Sequence, residues 1–423
     1  MTTHDALLLT GTTLSGSTDR YDVLVEDGRI AAVTPTGARS PDRPDAERID
    51  LSGYLLLPAA AEPHAHLDKA FLAGRAANVT GDLLGAIDAL RAVYPTLTEA
   101  DVRERAGKAL DIAVARGFTA VRSHADVDPV LGTVGVRALV ELSRARDDLD
   151  LSVVALVSQP LTGDDGAERR RLLEEAIDIG VHAIGGAPAL DPNPHGAVRV
   201  LAEYAAQADL PIDLHLDETL DADSRTLDVF INEVDRLGLG GRASASHCVS
   251  LGRRDLSDVV ETARRLADVG IALITLPQTN LGLQGRDQPT RTARGLPPVR
   301  ALREAGVTVA GGSDNWRDMF NPLGRIDPLE TAALLVAAGH LLPAQALDAV
   351  TVDARSAIGA PAARVEAGAP AELLAIRADS IDDAIASGTE ARVVIHRGRV
   401  VARTEVRTHR PHTDSSGFSG EDK

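Results

Sequence analysis

The sequence predicts an α/β fold, a (β/α)8 TIM-type barrel with a small β-sandwich domain formed from both chain ends. In the middle of the chain, eight short apolar segments alternate with helical patterns, which is typical of a closed parallel barrel. At both ends, short strand patterns follow one another without helices between them. A length of 423 residues suits one large barrel with an accessory domain.

The two chain ends predict one small β-domain. Near the N-terminus the chain reads A-L-L-L-T-G-T and then D-V-L-V-E-D-G-R-I-A-A-V, in which Asp27-Gly28 is a hairpin turn signal. Near the C-terminus it reads A-E-L-L-A-I-R and R-V-V-I-H-R-G-R-V-V-A. We therefore expect the β-sandwich to comprise residues 1–57 and 361–407, with the barrel inserted at 58–360. Residues 408–423 are polar and contain Gly and Ser, so we expect a disordered tail there.

The barrel strands are predicted where apolar runs of strand length precede segments with helical periodicity. One such segment, E-A-D-V-R-E-R-A-G-K-A-L-D-I-A-V-A-R-G, places apolar residues at helical spacing and ends on glycine. The predicted strands span residues 54–66, 118–126, 151–159, 181–188, 211–218, 242–250, 270–279 and 307–314.

The composition restricts the partners and the location of the protein. Hydrophobic residues make up 44% of the chain and aromatic residues only 2%, so the core must be built mainly from Ala, Leu, Val and Ile. A formal charge of -18 argues against nucleic acid and anionic membranes and favours a neutral or cationic small molecule. The single cysteine, Cys248, and a start without a basic segment predict a cytoplasmic protein, and the apolar stretches are too short for a membrane span.

The first predicted barrel strand ends in E-P-H-A-H-L-D. Because side chains alternate along a strand, His64 and His66 lie on the same face, here the mouth of the barrel. Two imidazoles on one face can bind one metal ion. Taken alone, a pair of hydrogen-bonded or exposed histidines explains the motif equally well.

The fifth and sixth predicted strands each contain a histidine near their carboxyl end. His215 lies in I-D-L-H-L-D-E, three residues before Glu218, a carboxylate that can move protons. His247 lies in A-S-A-S-H-C-V-S-L, where a buried imidazole needs a hydrogen-bond partner. Taken singly, each is more often a structural histidine, and Glu218 is equally well explained as a loop charge.

The eighth predicted strand, V-T-V-A-G-G-S-D-N, ends with Asp314 after a largely apolar run. A carboxylate there needs a cation or hydrogen-bond donors, and a metal ion would supply the cation. The alternative is an N-cap of the next helix. Because barrel enzymes place their active sites at the carboxyl ends of the strands, all four strand ends converge on one mouth. Three imidazoles and one carboxylate predict a site for zinc or ferrous iron, with room for a bound water.

Six motifs in this order resemble the cytosine deaminase branch of the amidohydrolase superfamily over nearly the whole chain. They are E-P-H-A-H-L-D, V-R-S-H-A-D-V-D, H-L-D-E, A-S-H, N-L-G-L-Q-G-R and S-D-N followed by P-L-G. The resemblance implies one divalent metal ion, Zn2+ or Fe2+, with four ligands, His64, His66, His215 and Asp314. It also implies that Glu218 is the proton shuttle to the ring nitrogen, that His247 polarises the metal-bound water, and that Gln159 binds substrate.

The chain also departs from its relatives in the pocket. The fourth strand, V-H-A-I-G-G-A-P-A-L, lacks the carbamylated lysine of two-metal superfamily members, and Lys69 is expected to be a solvated or substrate-side loop residue. Asn315 stands where cytosine deaminases carry a second aspartate, and it is followed by Trp316 and by Phe320, where a tryptophan is usual. We expect these three residues to bind substrate. Asn315 can donate and accept hydrogen bonds but cannot be an anion, so the recognised ring edge should differ from that of cytosine.

These observations predict a hydrolytic deaminase of an amino-substituted N-heterocycle, either cytosine or a related pyrimidine or triazine. His247 and Asp314 would help to deprotonate the attacking water. The alternatives are an N-alkylamino-triazine or cyclic-amide hydrolase, and a barrel without catalysis that serves as a scaffold. The expected partners are a small heterocyclic substrate and further copies of the chain in a homo-oligomer, with no nucleic acid and no membrane.

Overall fold

The fold is described from a computed structural model that covers residues 6–38 and 43–409. The predicted tail from 408 onward therefore lies almost wholly outside the described residues. In the described part of the chain, every helix is too short or too polar to span a bilayer.

Strands from both chain ends form one mixed eight-stranded sheet, so the predicted small β-domain is confirmed. Its order is β16-β15-β14-β5-β1-β2-β3, and β4 also pairs with β1. The predicted hairpin is β2–β3, in which Glu26 pairs with Arg29 across the Asp27-Gly28 turn. The strands are β1 (Ala6–Leu14), β2 (Arg20–Glu26), β3 (Arg29–Pro35), β4 (Glu47–Asp50), β5 (Leu55–Pro58), β14 (Leu373–Ile376), β15 (Arg392–His396) and β16 (Arg399–Thr404).

Eight parallel strands form the predicted barrel, in the sequential order β6 to β13. They are β6 (Ala60–Ala65), β7 (Phe118–Val127), β8 (Asp150–Val157), β9 (Ala183–Gly186), β10 (Ile212–Leu216), β11 (Ala243–His247), β12 (Ile271–Thr275) and β13 (Val309–Gly311). One predicted strand was wrong: residues 54–66 form two strands, β5 in the end sheet and β6 in the barrel. The chain changes sheets at Ala59, whose backbone N–H donates to Glu372 O beside β14 (3.0 Å).

The barrel closes between its first and last strands at a seam formed by β6 and residues 309–314. Ala65 and Asp314 form a parallel bridge there, and Asp314 N–H donates to His64 O (3.0 Å). The buried Glu62 carboxylate accepts hydrogen bonds from Ser313 N–H (3.1 Å) and from the Ser313 hydroxyl. The seam therefore lies directly beside the predicted metal ligands.

Helices surround the barrel. They are α1 (Leu83–Val93), α2 (Glu99–Arg116), α3 (Val134–Ala145), α4 (Ala167–Ile179), α5 (Pro194–Ala208), α6 (Thr226–Leu237), α7 (Leu256–Val269), α8 (Pro277–Leu283), α9 (Val299–Glu304), α10 (Pro328–Ala337), α11 (Pro343–Val350), α12 (Val352–Ala357) and α13 (Ile381–Ser387). Short 3₁₀ turns occupy Tyr94–Thr96, Asp164–Gly166, Pro188–Leu190 and Val249–Arg253. Helix α2 ends on Gly117, whose φ of 105° lies in the left-handed region and favours glycine. The main core is mostly Ala, Leu, Val and Ile, as the composition predicts.

A buried arginine connects the barrel to the end sheet. Arg355 on α12 donates to Thr119 Oγ1 of β7 (2.9 Å) and to Pro361 O (2.7 Å). It also forms an ion pair with Glu372 next to β14 (3.3 Å), and its side chain is fully buried. This network fixes the position of the end sheet against the barrel.

Candidate active site

Four side chains, carried by the end of β6, by β10 and by the segment after β13, bring their donor atoms together at the barrel mouth. His64 Nε2 is 3.2 Å from His215 Nε2, which is 3.3 Å from His66 Nε2. Asp314 Oδ1 lies 3.1 Å from His66 Nε2 and 3.8 Å from His64 Nε2. All four side chains are buried. The structure thus brings together the four ligands that the sequence predicted from separate segments.

The spacing of these donor atoms fits one divalent ion. Ligands about 2.1 Å from a tetrahedral zinc ion are separated from one another by about 3.4 Å, within the range of the separations seen here. Burial and the neighbouring imidazoles lower the pKa of His64 and burial lowers that of His66 well below the usual value, so both are neutral, the form that binds metal. Burial raises the pKa of Asp314 to about 8, and a cation among the ligands would favour its carboxylate.

A buried hydroxyl fixes the tautomer of His64. Ser246 on β11 donates its single proton to Asp213 Oδ1 (2.7 Å), so it must accept from His64 Nδ1–H, at 2.9 Å. His64 Nε2 therefore carries a lone pair directed at the other ligands. Asp213 is in turn held by Arg122 Nη1 (3.4 Å), which also donates to Ser244 Oγ (3.2 Å).

Glu218, whose side chain is 13% exposed, forms a polar group with two neighbours. Its Oε1 accepts from Asn280 Nδ2 (3.2 Å) and lies 3.3 Å from His247 Nδ1, while Asn280 also lies 3.1 Å from the same imidazole nitrogen. Burial raises the pKa of Glu218 to about 8, against the smaller opposing effect of Asn280. A carboxyl that exchanges its proton near neutral pH suits general acid–base chemistry.

A fourth imidazole lies next to the ligand histidines. His124 on β7 is fully buried, and its ring centroid is 4.0 Å from that of His64. Within the described residues, His64, His66 and His124 form one group able to hold a metal ion, and His64, His215 and His247 form another. In the sequence, His124 is recognisable only as part of the motif V-R-S-H-A-D-V-D.

The donor atoms open into a cavity of about 950 Å³. Its wall includes His66, His215, Glu218, His247 and Asp314. Residues of α1, among them Leu83, Ile87, Asp88 and Arg91, and residues 283–288 also line the cavity. A cavity of this size accommodates a small heterocycle beside the predicted metal ligands.

The four residues predicted to bind substrate take different positions. Gln159 and Phe320 line the cavity, and both amide atoms of the buried Gln159 are without a hydrogen-bond partner in the described part of the chain. Asn315 also lines it, but its amide already accepts from Thr279 Oγ1 (3.2 Å) and donates to Asp318 (2.8 Å).

Trp316 lies in the core instead, and the cavity formed by the described residues does not include it. Its ring is fully buried against Phe118, with centroids 6.4 Å apart, and Nε1 donates to Ser313 Oγ (2.6 Å). Asp314, two residues before it, has a φ of 66°. This placement favours a packing role for Trp316.

Lys69 is buried and lines the cavity, so it is not solvated. Asp217, next to Glu218, is a structural residue rather than a loop charge. Its carboxylate accepts from Thr226 N–H (2.9 Å) and Leu227 N–H (3.2 Å) at the start of α6 and from the Ser224 hydroxyl (2.7 Å).

Several of these residues could have been found from buried polar positions in the sequence. Asp213 lies two residues before His215 on β10, so these two side chains share a strand face, and Ser246 alternates with alanine on β11. Asn280 begins the motif N-L-G-L-Q-G-R. The periodicity alone does not reveal which of them touch one another, because the contacts join distant segments.

Comparisons with known proteins agree with this geometry. The profile of the amidohydrolase family matches residues 76–402, a span that contains His215, Glu218, His247 and Asp314. The matched span begins after His64 and His66. The pterin deaminase of Rhizobium rhizogenes is 33% identical over 395 residues, which cover 91% of this chain and 88% of that protein.

Two solved structures are similar over nearly the whole chain. The 5-methylcytosine deaminase from Klebsiella pneumoniae, liganded with 5-fluorocytosine, has 28% identity and a TM-score of 0.87, covering 96% of this chain and 99% of that chain. The N-isopropylammelide isopropylaminohydrolase from Burkholderia multivorans has 27% identity and a TM-score of 0.82, covering 94% and 98%.

Proposed function

Since this chain belongs to the amidohydrolase family and is similar to deaminases, we propose that it is a metal-dependent deaminase of an amino-substituted N-heterocycle. The observation that carries the proposal is the largely buried Glu218, held by Asn280 and His247 in a cavity wall that also contains three of the four proposed metal ligands, His66, His215 and Asp314. Three relatives named above act on ring-borne nitrogen, and two of them are deaminases.

One divalent ion, Zn2+ or Fe2+, would be held by His64, His66, His215 and Asp314. When bound, such an ion supplies Lewis acidity that makes water nucleophilic near neutral pH. Neutral imidazoles and one carboxylate suit either metal.

The protein's own groups would move the protons. His247 Nε2 has no hydrogen-bond partner among the described residues, so it is free to accept from the attacking water. Glu218, with a pKa of about 8, can donate a proton to the ring nitrogen beside the C–NH2 carbon and take one back from water. The water oxygen then bonds to that carbon, and Glu218 passes the proton taken from the water to the amino group, so that the C–N bond breaks and ammonia leaves. The second water proton is taken up by His247 as the ring C=O forms, and its return to Glu218 restores the starting state. The product is the oxo-heterocycle.

Gln159 would orient the ring, because its buried amide offers one donor and one acceptor to a ligand. Phe320 offers an aromatic surface in the same cavity. A second candidate is removal of an N-alkylamino group by the same centre, favoured by the similarity to the isopropylaminohydrolase.

The test is ammonia release by metal-loaded protein over cytosine, isocytosine, 5-substituted cytosines, aminotriazines, creatinine and pterins. Glu218→Gln should lower kcat about 10²- to 10⁴-fold while the bound metal, measured by elemental analysis, stays unchanged. Glu261→Gln on the exposed surface of α7 is the matched control and should behave as wild type. Near-normal turnover by Glu218→Gln with full metal content would refute the proton-shuttle role.

The products formed from the same set of substrates distinguish the alternative functions. Release of an alkylamine in place of ammonia would favour the second candidate, and a ring-opened acid would indicate a cyclic-amide hydrolase. Metal-loaded wild-type protein that turns over nothing and still binds a partner would support a scaffold. The homo-oligomer and the domain boundaries remain predictions, which light scattering and limited proteolysis can test.

A further inference from the structure

A second cavity, of about 460 Å³, lies outside the active site, and its described lining includes none of the proposed metal ligands. Its wall is formed by residues 293–301, by residues 338–340, by Leu220 and by part of the 3₁₀ turn Val249–Arg253. We call it the arginine cavity, because Arg253, Arg294 and Arg300 line it. Its size is that of a site for a small molecule.

The charge of the arginine cavity is opposite to that of the chain. The whole chain carries a formal charge of -18. In the cavity, three arginines are joined by His340, and the part of the wall that the structure describes contains no Asp or Glu. An acidic protein repels anions over most of its surface, so this concave basic site is a place where an anion can be held.

The guanidinium groups of the cavity have donors that the protein does not use. Arg294 Nη1 donates to Ala338 O (3.0 Å) and to His340 Nε2 (2.7 Å), which leaves the N–H groups on Nε and Nη2 without an acceptor among the described residues.

The other two arginines also have unused donors. The Arg253 side chain has neither a hydrogen bond nor an ion pair within residues 6–38 and 43–409. Arg300 pairs with Glu304 through Nε alone (3.2 Å). Planar guanidinium forks with unused N–H groups match the oxygens of a phosphate.

An apolar floor lies in the same cavity. Val249, Leu296 and Val299 line it and are buried, and Pro297 lies between the last two. An inorganic ion would cover little of this apolar surface. A phosphate attached to an apolar or aromatic body would cover more of it, and each apolar Å² removed from water contributes to binding.

The arginine cavity and the active-site cavity can be distinguished by their walls. Residues 284–288 line the active-site cavity and residues 293–295 line the arginine cavity, whereas Leu220 belongs to both. Ala338 and His340 line only the arginine cavity, and His66 lines only the active-site cavity. A ligand at either place therefore protects a different part of the chain.

We propose that the arginine cavity is a second binding site, which takes a small organic phosphate. The phosphate lies among the guanidinium groups of Arg253, Arg294 and Arg300, and the apolar body of the ligand lies on the floor formed by Val249, Leu296 and Val299. This inference goes beyond the proposed function and does not depend on it, because binding is measured without turnover.

The experiment is calorimetric titration of metal-loaded protein, freed of excess ion, with phenyl phosphate, inorganic phosphate and benzoate. Phenyl phosphate should bind about 10-fold more tightly than either of the other two, because only it offers both a phosphate and an apolar body. Equal affinity for phenyl phosphate and inorganic phosphate, tighter binding of benzoate, or no binding of phenyl phosphate overturns the proposal.

Substitution of Arg253 tests the site directly. Arg253→Gln should raise the dissociation constant for phenyl phosphate about 10-fold, since a charge-assisted hydrogen bond is lost. The exposed Arg253 side chain has no described partner to lose, so the variant should fold, and thermal melting checks this. Arg264→Gln, at an exposed position of α7 outside the cavity, makes the same charge change and should bind as wild type. Unchanged affinity in Arg253→Gln, or an equal loss in Arg264→Gln, refutes the assignment.

Hydrogen exchange locates the bound phenyl phosphate. Slower exchange in residues 338–340 supports the arginine cavity, whereas protection confined to residues 64–66 would place the phosphate at the metal ligands and contradict the proposal. An acidic segment of a second copy of the chain is the other possible occupant. Light scattering that shows an oligomer dissociated by Arg294→Gln, together with no binding of phenyl phosphate by wild type, would favour that occupant and overturn the proposal.

Discussion

Replacing Ser246 with alanine should weaken metal binding without changing any residue that touches the metal. The variant removes two buried hydrogen bonds, one accepted from His64 Nδ1 (2.9 Å) and one donated to Asp213 (2.7 Å). Without the hydroxyl, His64 loses the contact that keeps its proton on Nδ1. The His64 tautomer that is protonated on Nε2 then becomes populated alongside the Nδ1 tautomer, and it cannot bind an ion through Nε2.

The size of the effect follows from these contacts. A buried imidazole N–H left without an acceptor costs about 1–3 kcal/mol. Loss of an outer hydrogen bond to a ligand histidine typically weakens metal affinity about 10- to 100-fold, which corresponds to about 1.4–2.8 kcal/mol. The two estimates overlap, so we expect the dissociation constant for Zn2+ to rise about 10- to 100-fold.

The assay is equilibrium competition for Zn2+ against a chelator of known affinity. Ser246→Thr retains the hydroxyl and should restore binding. Ser244→Ala is the matched control, because Ser244 lies two residues earlier on β11, is equally buried, and contacts Arg122 and Ala357 but none of the ligand histidines. A Ser246→Ala affinity within twofold of wild type, or an equal loss in Ser244→Ala, would refute the reasoning.

Three further predictions concern stability. Asp217→Ala should lower the free energy of unfolding by about 3 kcal/mol, measured by urea denaturation, because two N–H groups at the start of α6 and a hydroxyl lose their acceptor. In metal-free protein, burial raises the pKa of Glu218 from 4.5 to about 8, so the folded state holds a proton that the unfolded chain releases. The stability of wild type relative to Glu218→Gln should therefore fall as pH rises from about 4.5 to 8 and then level off; a flat difference would contradict the assigned shift. Arg355→Met should cost about 3 kcal/mol by leaving the Glu372 carboxylate buried with one fewer partner, while Arg300→Met on the surface should have little effect.

Much of the fold follows from periodicity, because each barrel strand is a short apolar run that ends before a polar loop and a helix. The division at Ala59 does not follow, since the run from Leu55 to Ala61 is uniformly apolar and is buried except at Pro58. Only the pairing partners, β14 on one side and β7 on the other, separate the two strands.

The clustering of the proposed metal ligands was predictable, because strand alternation and barrel geometry fix where strand-end side chains point. The residues that hydrogen-bond to these ligands could not be predicted in the same way, because the His64–Ser246 contact joins residues 182 positions apart. Trp316 was placed in the pocket from its position near Asp314, yet the left-handed turn at Asp314 directs the indole into the core. The burial of Lys69 depends on Asp126, 57 residues away.

The seam has a consequence for how the protein is made. Glu62 and Ser313, which hydrogen-bond across it, are 251 residues apart, so a ribosome synthesises His64 and His66 long before Asp314. The complete ligand set cannot form until the last barrel strand has emerged and closed against the first. We therefore expect metal loading to be a late event in biosynthesis, and a nascent chain truncated before residue 309 to retain its ion less tightly than the full-length product.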